Sequence, residues 1–124
     1  HIFLTGRAGT GKTTLVRRFM DQAGEDAAIV APTGVAAMNA GGQTIHSFFR
    51  LPPRLISPGD VKRLRHAKVI RALKTLVIDE ISMVNADLMD AIDRALRQAR
   101  GDGPIRDWFR AGWTREIEQR RLFA

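Results

Sequence analysis

Apolar residues run along the chain in two rhythms. Ile2-Phe3-Leu4, Ala27-Ala28-Ile29-Val30-Ala31 and Leu76-Val77-Ile78 are short and unbroken, and each gives way to glycine, proline or acid. Unbroken runs of this length predict strands covered on both faces. Helical spacing governs the rest. Lys12 to about Gln22 carries Leu15, Val16, Phe19 and Met20 on one stripe, with Gly24 just past its end. Val35 to Ala40 predicts a short helix stopped by Gly41-Gly42. Val61 to Leu73 is basic and amphipathic, with Val61, Leu64, Val69 and Leu73 as the expected buried positions. Asn85 predicts an N-cap for a helix reaching about Arg100, with Leu88, Ile92, Ala95, Leu96 and Ala99 on one face. Between these, Leu51 to Asp60 holds Pro52, Pro53, Pro58 and Gly59, and reads as a loop or an inserted excursion.

Strand and helix therefore alternate. That order predicts an α/β fold, a mainly parallel sheet between helical layers. Three predicted strands are fewer than doubly wound nucleotide-binding sheets carry, so the sheet is expected to be incomplete. His1 stands where an initiator Met is expected, directly before a strand, which suggests a fragment.

Composition narrows the picture modestly. The 124 residues suit one domain with one core, and 44% are hydrophobic, enough to fold. Without cysteine there is neither a disulfide nor a thiolate-held zinc, which fits an intracellular setting. No run approaches the ~20 apolar residues of a membrane span. The net charge of +7 suits a polyanion such as nucleic acid, or equally a solvated basic surface.

Chemistry enters at Gly6-Arg7-Ala8-Gly9-Thr10-Gly11-Lys12-Thr13, which satisfies G-x-x-x-x-G-K-[ST] between a predicted strand and a predicted helix. The glycines allow the backbone to wrap a phosphate, and the helix N-terminus adds its amides and partial positive charge. The expected nucleotide-binding set is Gly6, Ala8, Gly9, Thr10, Gly11, Lys12, Thr13 and Thr14. Arg7 and Thr10 are variable motif positions whose side chains are assigned no chemistry. Lys12 is expected to reach the β- and γ-phosphates of ATP, and the Thr13 hydroxyl to ligate Mg²⁺. Thr14 reads either as an α-phosphate contact or as an ordinary helix residue.

Leu76-Val77-Ile78 then delivers Asp79 and Glu80 at the C-terminal end of a strand, the edge where ligands of open α/β sheets bind. Asp79 is expected to hold Mg²⁺ through a water, and Glu80 to orient or deprotonate an attacking water. Lys12 and Glu80 are thus the catalytic candidates, Thr13 and Asp79 the metal candidates.

Three blocks resemble the PIF-type DNA helicases of superfamily 1, relatives of the RecD-like enzymes. They are Phe3 to Thr14; Ala31-Pro32-Thr33-Gly34-Val35-Ala36-Ala37 continuing to Gly41-Gly42-Gln43-Thr44-Ile45-His46-Ser47-Phe48-Phe49; and Val77 to Val84. The middle block is the specific one, and it argues against an unrelated ATPase of the AAA or transposition-helper kind. The resemblance, covering about residues 2–100, implies a P-loop (RecA-like) motor domain. It implies ATP-driven movement on single-stranded DNA with 5′-to-3′ unwinding. Carried over, Thr33 and Gly34 contact DNA phosphates, and Thr44, His46 and Phe48 lie on or near the same path. The residues themselves leave alternatives: Phe48 and Phe49 also suit a core, His46 a structural hydrogen bond, Met83 packing. Ser82 is linked to the DNA side only by the resemblance.

The resemblance fails after about Arg100. The family's next strand and its Gln-containing motif are missing, and 105–124 instead holds Trp108, Phe109, Trp113 and mixed charges. This tail reads as an amphipathic nucleic-acid contact or as non-native sequence. The second motor domain, which completes ATP hydrolysis in the family, is also missing from this chain. Two readings follow: the ATP-dependent motor segment of a helicase, or a nucleotide- and DNA-binding module without turnover.

Overall fold

The structure, a computed structural model, describes residues 2–61 and 68–100. Helix α1 spans Lys12–Ala23, and one 3-10 turn later strand β1 runs Ala27–Ala31. Helix α2 (Gly34–Ala40), strand β2 (Gln43–Thr44) and helix α3 (Ile45–Phe48) follow. After the proline-rich stretch come helices α4 (Pro58–Val61) and α5 (Lys68–Ala72), then strand β3 (Thr75–Ile78) and the long helix α6 (Ala86–Arg100). The sheet has the order β2-β1-β3, and both pairings are parallel. Ala28 pairs with Leu76 and Val30 with Ile78. Because successive strand residues point to opposite faces, these four share one face.

That face carries the core. Val30, Ile45, Phe49, Leu51, Val61, Ile70 and Leu73 close on Leu88, Met89, Ile92, Ala95 and Leu96 of α6, with Leu76 and Ile78 packed against them. All five residues expected on one face of α6 are buried. Asn85 caps the helix as expected: its Oδ1 accepts from the Leu88 amide at 2.8 Å. On the second face, Ile29 and Ala31 are buried and α2 packs on β1 through small residues, with Ala37 and Ala40 buried. Gly41 ends α2 at φ 75°, in the left-handed region that glycine tolerates without penalty. Gly42 has a different reason: a Cβ there would meet the Ile29 carbonyl oxygen at 2.2 Å.

Three expectations need correction. Residues 2–4 form no strand; Ile2, Phe3 and Leu4 are exposed, because no described strand lies beside them to complete their hydrogen bonding. The third strand is instead Gln43–Thr44, a polar pair that is strand only through its pairing with β1. Over the stretch expected to be a basic helix, Val61 at the end of α4 and Leu73 just past α5 are buried as expected, but in α5 Val69 is exposed and Ile70 takes its place. Leu64 lies outside the described residues, as do residues 101–124 with Trp108, Phe109 and Trp113. Met83, expected to pack, is exposed.

Candidate nucleotide and DNA site

All three strands are parallel, so their C-terminal ends lie on one edge of the sheet. The strand order sets what stands where along it. β2 leads into Thr44 and His46, β1 in the middle leads into Thr33 and Gly34, and β3 leads into Asp79 and Glu80. Residues far apart in sequence are thereby gathered at the edge where such folds take ligands. The Asp79 amide extends the ladder by donating to the Val30 carbonyl at 2.9 Å, which fixes the acidic pair against β1. The Asp79 carboxylate accepts from the Glu80 amide at 3.0 Å. Glu80 sits at φ 52°, a left-handed backbone that costs a non-glycine residue of order 1 kcal/mol or more.

The loop before α1 is shaped by two glycines. Gly9 and Gly11 lie at φ 78° and 87°, and a Cβ at either would touch nothing within 4 Å. Conformation, not crowding, selects glycine there, and the space beside the backbone is open. Gly6 is selected by crowding: a Cβ would lie 2.9 Å from the Thr10 hydroxyl. That hydroxyl donates to the Arg7 carbonyl at 2.7 Å. Lys12 folds its ammonium back over the loop, donating to the carbonyls of Gly6 at 2.7 Å and Arg7 at 2.8 Å. A cation is thus held at the mouth of a loop with room for an anion. Ala8, Thr13 and Thr14 are exposed beside it. An exposed hydroxyl, a carboxylate and phosphate oxygens are the hard donors Mg²⁺ prefers, so the residue types fit that ion. Among the described residues no hydrogen bond joins Asp79 or Glu80 to the loop.

Thr33 and Thr44 have the same local design. Each is a helix N-cap whose hydroxyl oxygen accepts an amide: Thr33 from Ala36 at 3.2 Å, Thr44 from Ser47 at 3.1 Å. The hydroxyl proton of each remains available for an acceptor such as a phosphate. Gly34 is exposed with open space beside it, while His46 is half-buried. The two phenylalanines separate. Phe49 is fully buried, whereas Phe48 is half-buried against the core and meets Phe49 edge-to-face at 5.0 Å. A contact that the sequence did not suggest links the two regions: the Arg17 guanidinium of α1 donates to the Asn39 carbonyl of α2. It joins the helix behind the phosphate loop to the helix behind Thr33-Gly34.

Comparison with known proteins places this edge in a family. The model of the PIF1-like helicases matches residues 1–104. The chain belongs to the PIF1-like helicase family. It is 40% identical over 114 residues to the ATP-dependent DNA helicase PIF1 of Saccharomyces cerevisiae, and 40% identical over 105 residues to that of Homo sapiens. These alignments cover 81% and 78% of this chain but only 13% and 16% of the relatives. Among solved structures, Bacteroides Pif1 bound to single-stranded DNA superposes with a TM-score of 0.66 at 41% identity, covering 83% of this chain and 25% of that one. Bacteroides Pif1 in complex with ADP-AlF4 gives 0.61 at 42%, covering 77% and 23%. The P-loop fold expected from the sequence is the fold of these PIF1-family structures.

Proposed function

We propose that this chain is the nucleotide-binding part of a 5′-to-3′ ATP-dependent DNA helicase motor, one that holds Mg-ATP and single-stranded DNA. One observation carries the reading. A single sheet edge gathers two capping threonines, a half-buried histidine and an acidic pair, beside a helix that begins at a phosphate-type loop. The relatives' names, ATP-dependent DNA helicase PIF1, and a neighbour solved with single-stranded DNA support it.

In this reading the triphosphate enters the open side of Gly9 and Gly11, and Lys12 exchanges its two carbonyl partners for phosphate oxygens. Thr13 and Asp79 hold Mg²⁺, which neutralises phosphate charge. Glu80 orients the attacking water, and its strained backbone fixes the direction of its carboxylate. Thr33, Gly34 and Thr44 take DNA phosphates by hydroxyl and amide, contacts indifferent to base. His46 lies on the same path, and the part of Phe48 left uncovered offers a stacking surface. Arg17, bridging to Asn39, ties the two ligand regions together.

The chain spans roughly an eighth to a quarter of its relatives' and neighbours' lengths. Alone, it is therefore expected to bind nucleotide and DNA with negligible unwinding. A fluorescent ATP analogue and a labelled oligonucleotide test this. Lys12→Ala should abolish nucleotide binding, whereas Glu80→Gln should spare it and remove any hydrolysis. Nucleotide affinity unchanged by Lys12→Ala, or hydrolysis unchanged by Glu80→Gln, would contradict these roles. Unwinding by the chain alone would show that no further domain is needed.

A further inference from the structure

Two non-glycine residues among those described have a left-handed backbone: Glu80 at φ 52° and Arg50 at φ 50°. Glu80 already has a proposed role at the sheet edge. Arg50 has none. It follows α3 directly, and the chain turns there through amides donated by Arg50 to the Ser47 carbonyl at 3.2 Å and by Leu51 to the His46 carbonyl at 2.9 Å. This is the post-helical position where glycine is favoured, because a Cβ in the left-handed region is strained. An arginine there costs stability without returning any contact. Its side chain is exposed and makes no hydrogen bond or ion pair among the described residues. It does not cap the α3 carbonyls. Arg54, the next arginine, is by contrast tied to the Asp60 carboxylate by two hydrogen bonds, at 2.9 and 2.8 Å.

Along the chain, the charge around it has one sign. No acidic residue occurs between Asp26 and Asp60, a stretch that includes Thr33, Gly34, Thr44 and His46. His46 lies one helical turn before Arg50, and its carbonyl closes the turn that holds Arg50. A guanidinium with no partner among the described residues, held on a strained turn within an acid-free stretch of chain, suits one class of ligand: the phosphodiester backbone of a single strand. Guanidinium takes two phosphate oxygens at once and does not read base.

We propose that Arg50 is a backbone-phosphate contact for single-stranded DNA, extending the path of Thr33, Thr44 and His46 past the end of α3. The proposal rests on the DNA reading above. Its test is Arg50→Gly, which separates strain from binding because the two move in opposite directions. Thermal unfolding should show a midpoint equal to or above that of the wild type. Anisotropy with a labelled poly-dT oligonucleotide should show a roughly threefold to tenfold weaker Kd, with the salt slope reduced by about 0.7, the share of one phosphate on a single strand. Arg50→Lys keeps the charge and should retain most of the affinity. Nucleotide-analogue binding should not change.

Equal DNA affinity and equal salt slope in wild type and Arg50→Gly would sink the Arg50 contact while leaving the DNA reading intact. A wild-type chain that binds no poly-dT overturns the DNA reading and the contact with it. A lowered unfolding midpoint in Arg50→Gly would mean that the arginine contributes to the fold, and would overturn the strain argument.

Discussion

One face of the sheet is sealed and the other is not. On the first, Val30, Leu76 and Ile78 share one core cluster with Leu88, Met89, Ile92, Ala95 and Leu96 of α6. On the second, α1 packs on β1 and α2 without burying any of its residues, and Leu15 and Phe19 are about half exposed. Both helices carry apolar stripes at helical spacing. The difference is what lies opposite: α6 shares a core cluster with large side chains such as Ile45, Phe49 and Ile70, whereas α1 packs on β1 and α2, whose buried residues include Ala31, Ala37 and Ala40. A helix at a phosphate loop needs its N-terminal amides free. Burial is concentrated on one face, and the candidate site residues stand at the strand-end edge that both faces share.

The contrast breaks most directly at Ile92 and Leu15. Ile92 is fully buried, so Ile92→Ala should cost about 2–5 kcal/mol, the range for large-to-small changes in a packed core. Leu15→Ala removes a side chain that is 56% exposed and should stay within about 0.5 kcal/mol. Urea denaturation of both variants reads the difference. Comparable losses would show that the α1 face is covered in the folded chain and that the two faces are alike.

The helix starts sharpen it on a smaller scale. α6 begins at a side-chain cap, while α1 begins at Gly11, which offers none. Asn85→Ala should therefore cost about 1 kcal/mol in the same denaturation series, with no change in nucleotide affinity. A loss of nucleotide binding at constant stability would instead tie this capped turn, which follows Asp79 and Glu80, to the ligand site.

The sequence revealed the sealed face more completely than the open one. A helix that buries a stripe writes its period into the chain, and the Asn85 cap and the five α6 positions followed from local pattern alone. Gly9, Gly11 and Gly41 were legible because the backbone conformation demands them. The open face depended on partners elsewhere. Ile2-Phe3-Leu4 has the composition of a strand, but strand formation needs a neighbour to share hydrogen bonds with. Gln43-Thr44 has no strand pattern at all and is strand because β1 runs alongside. Within α5, Val69 is exposed and Ile70 buried, so the buried face lies one residue away from the expected one. Of the site, the motif residues were readable from spacing, and the gathering of those that follow β1, β2 and β3 on one edge comes from parallel order. Arg50 was not readable, since nothing in residue type reports a positive φ.

Acid should act on the sealed face. Asp60 lies in α4, which packs on α6, and its neighbour Val61 is buried in the core. Hydrogen bonds from the Arg54 guanidinium, and then from the Ser57 amide and hydroxyl, hold the Asp60 carboxyl down at about 2 against an ordinary 3.8. A depressed carboxyl stabilises the fold fully above its unfolded value, and that contribution fades as pH falls towards the folded one. The unfolding midpoint of Asp60→Asn should therefore lie below wild type at about pH 5, and the gap should narrow as pH approaches about 2. The effect should be small, because the Arg54 side chain is 61% exposed and water screens the pair. A gap that persists unchanged to the lowest pH would show that Asp60 acts through shape and hydrogen-bond geometry and not through its charge.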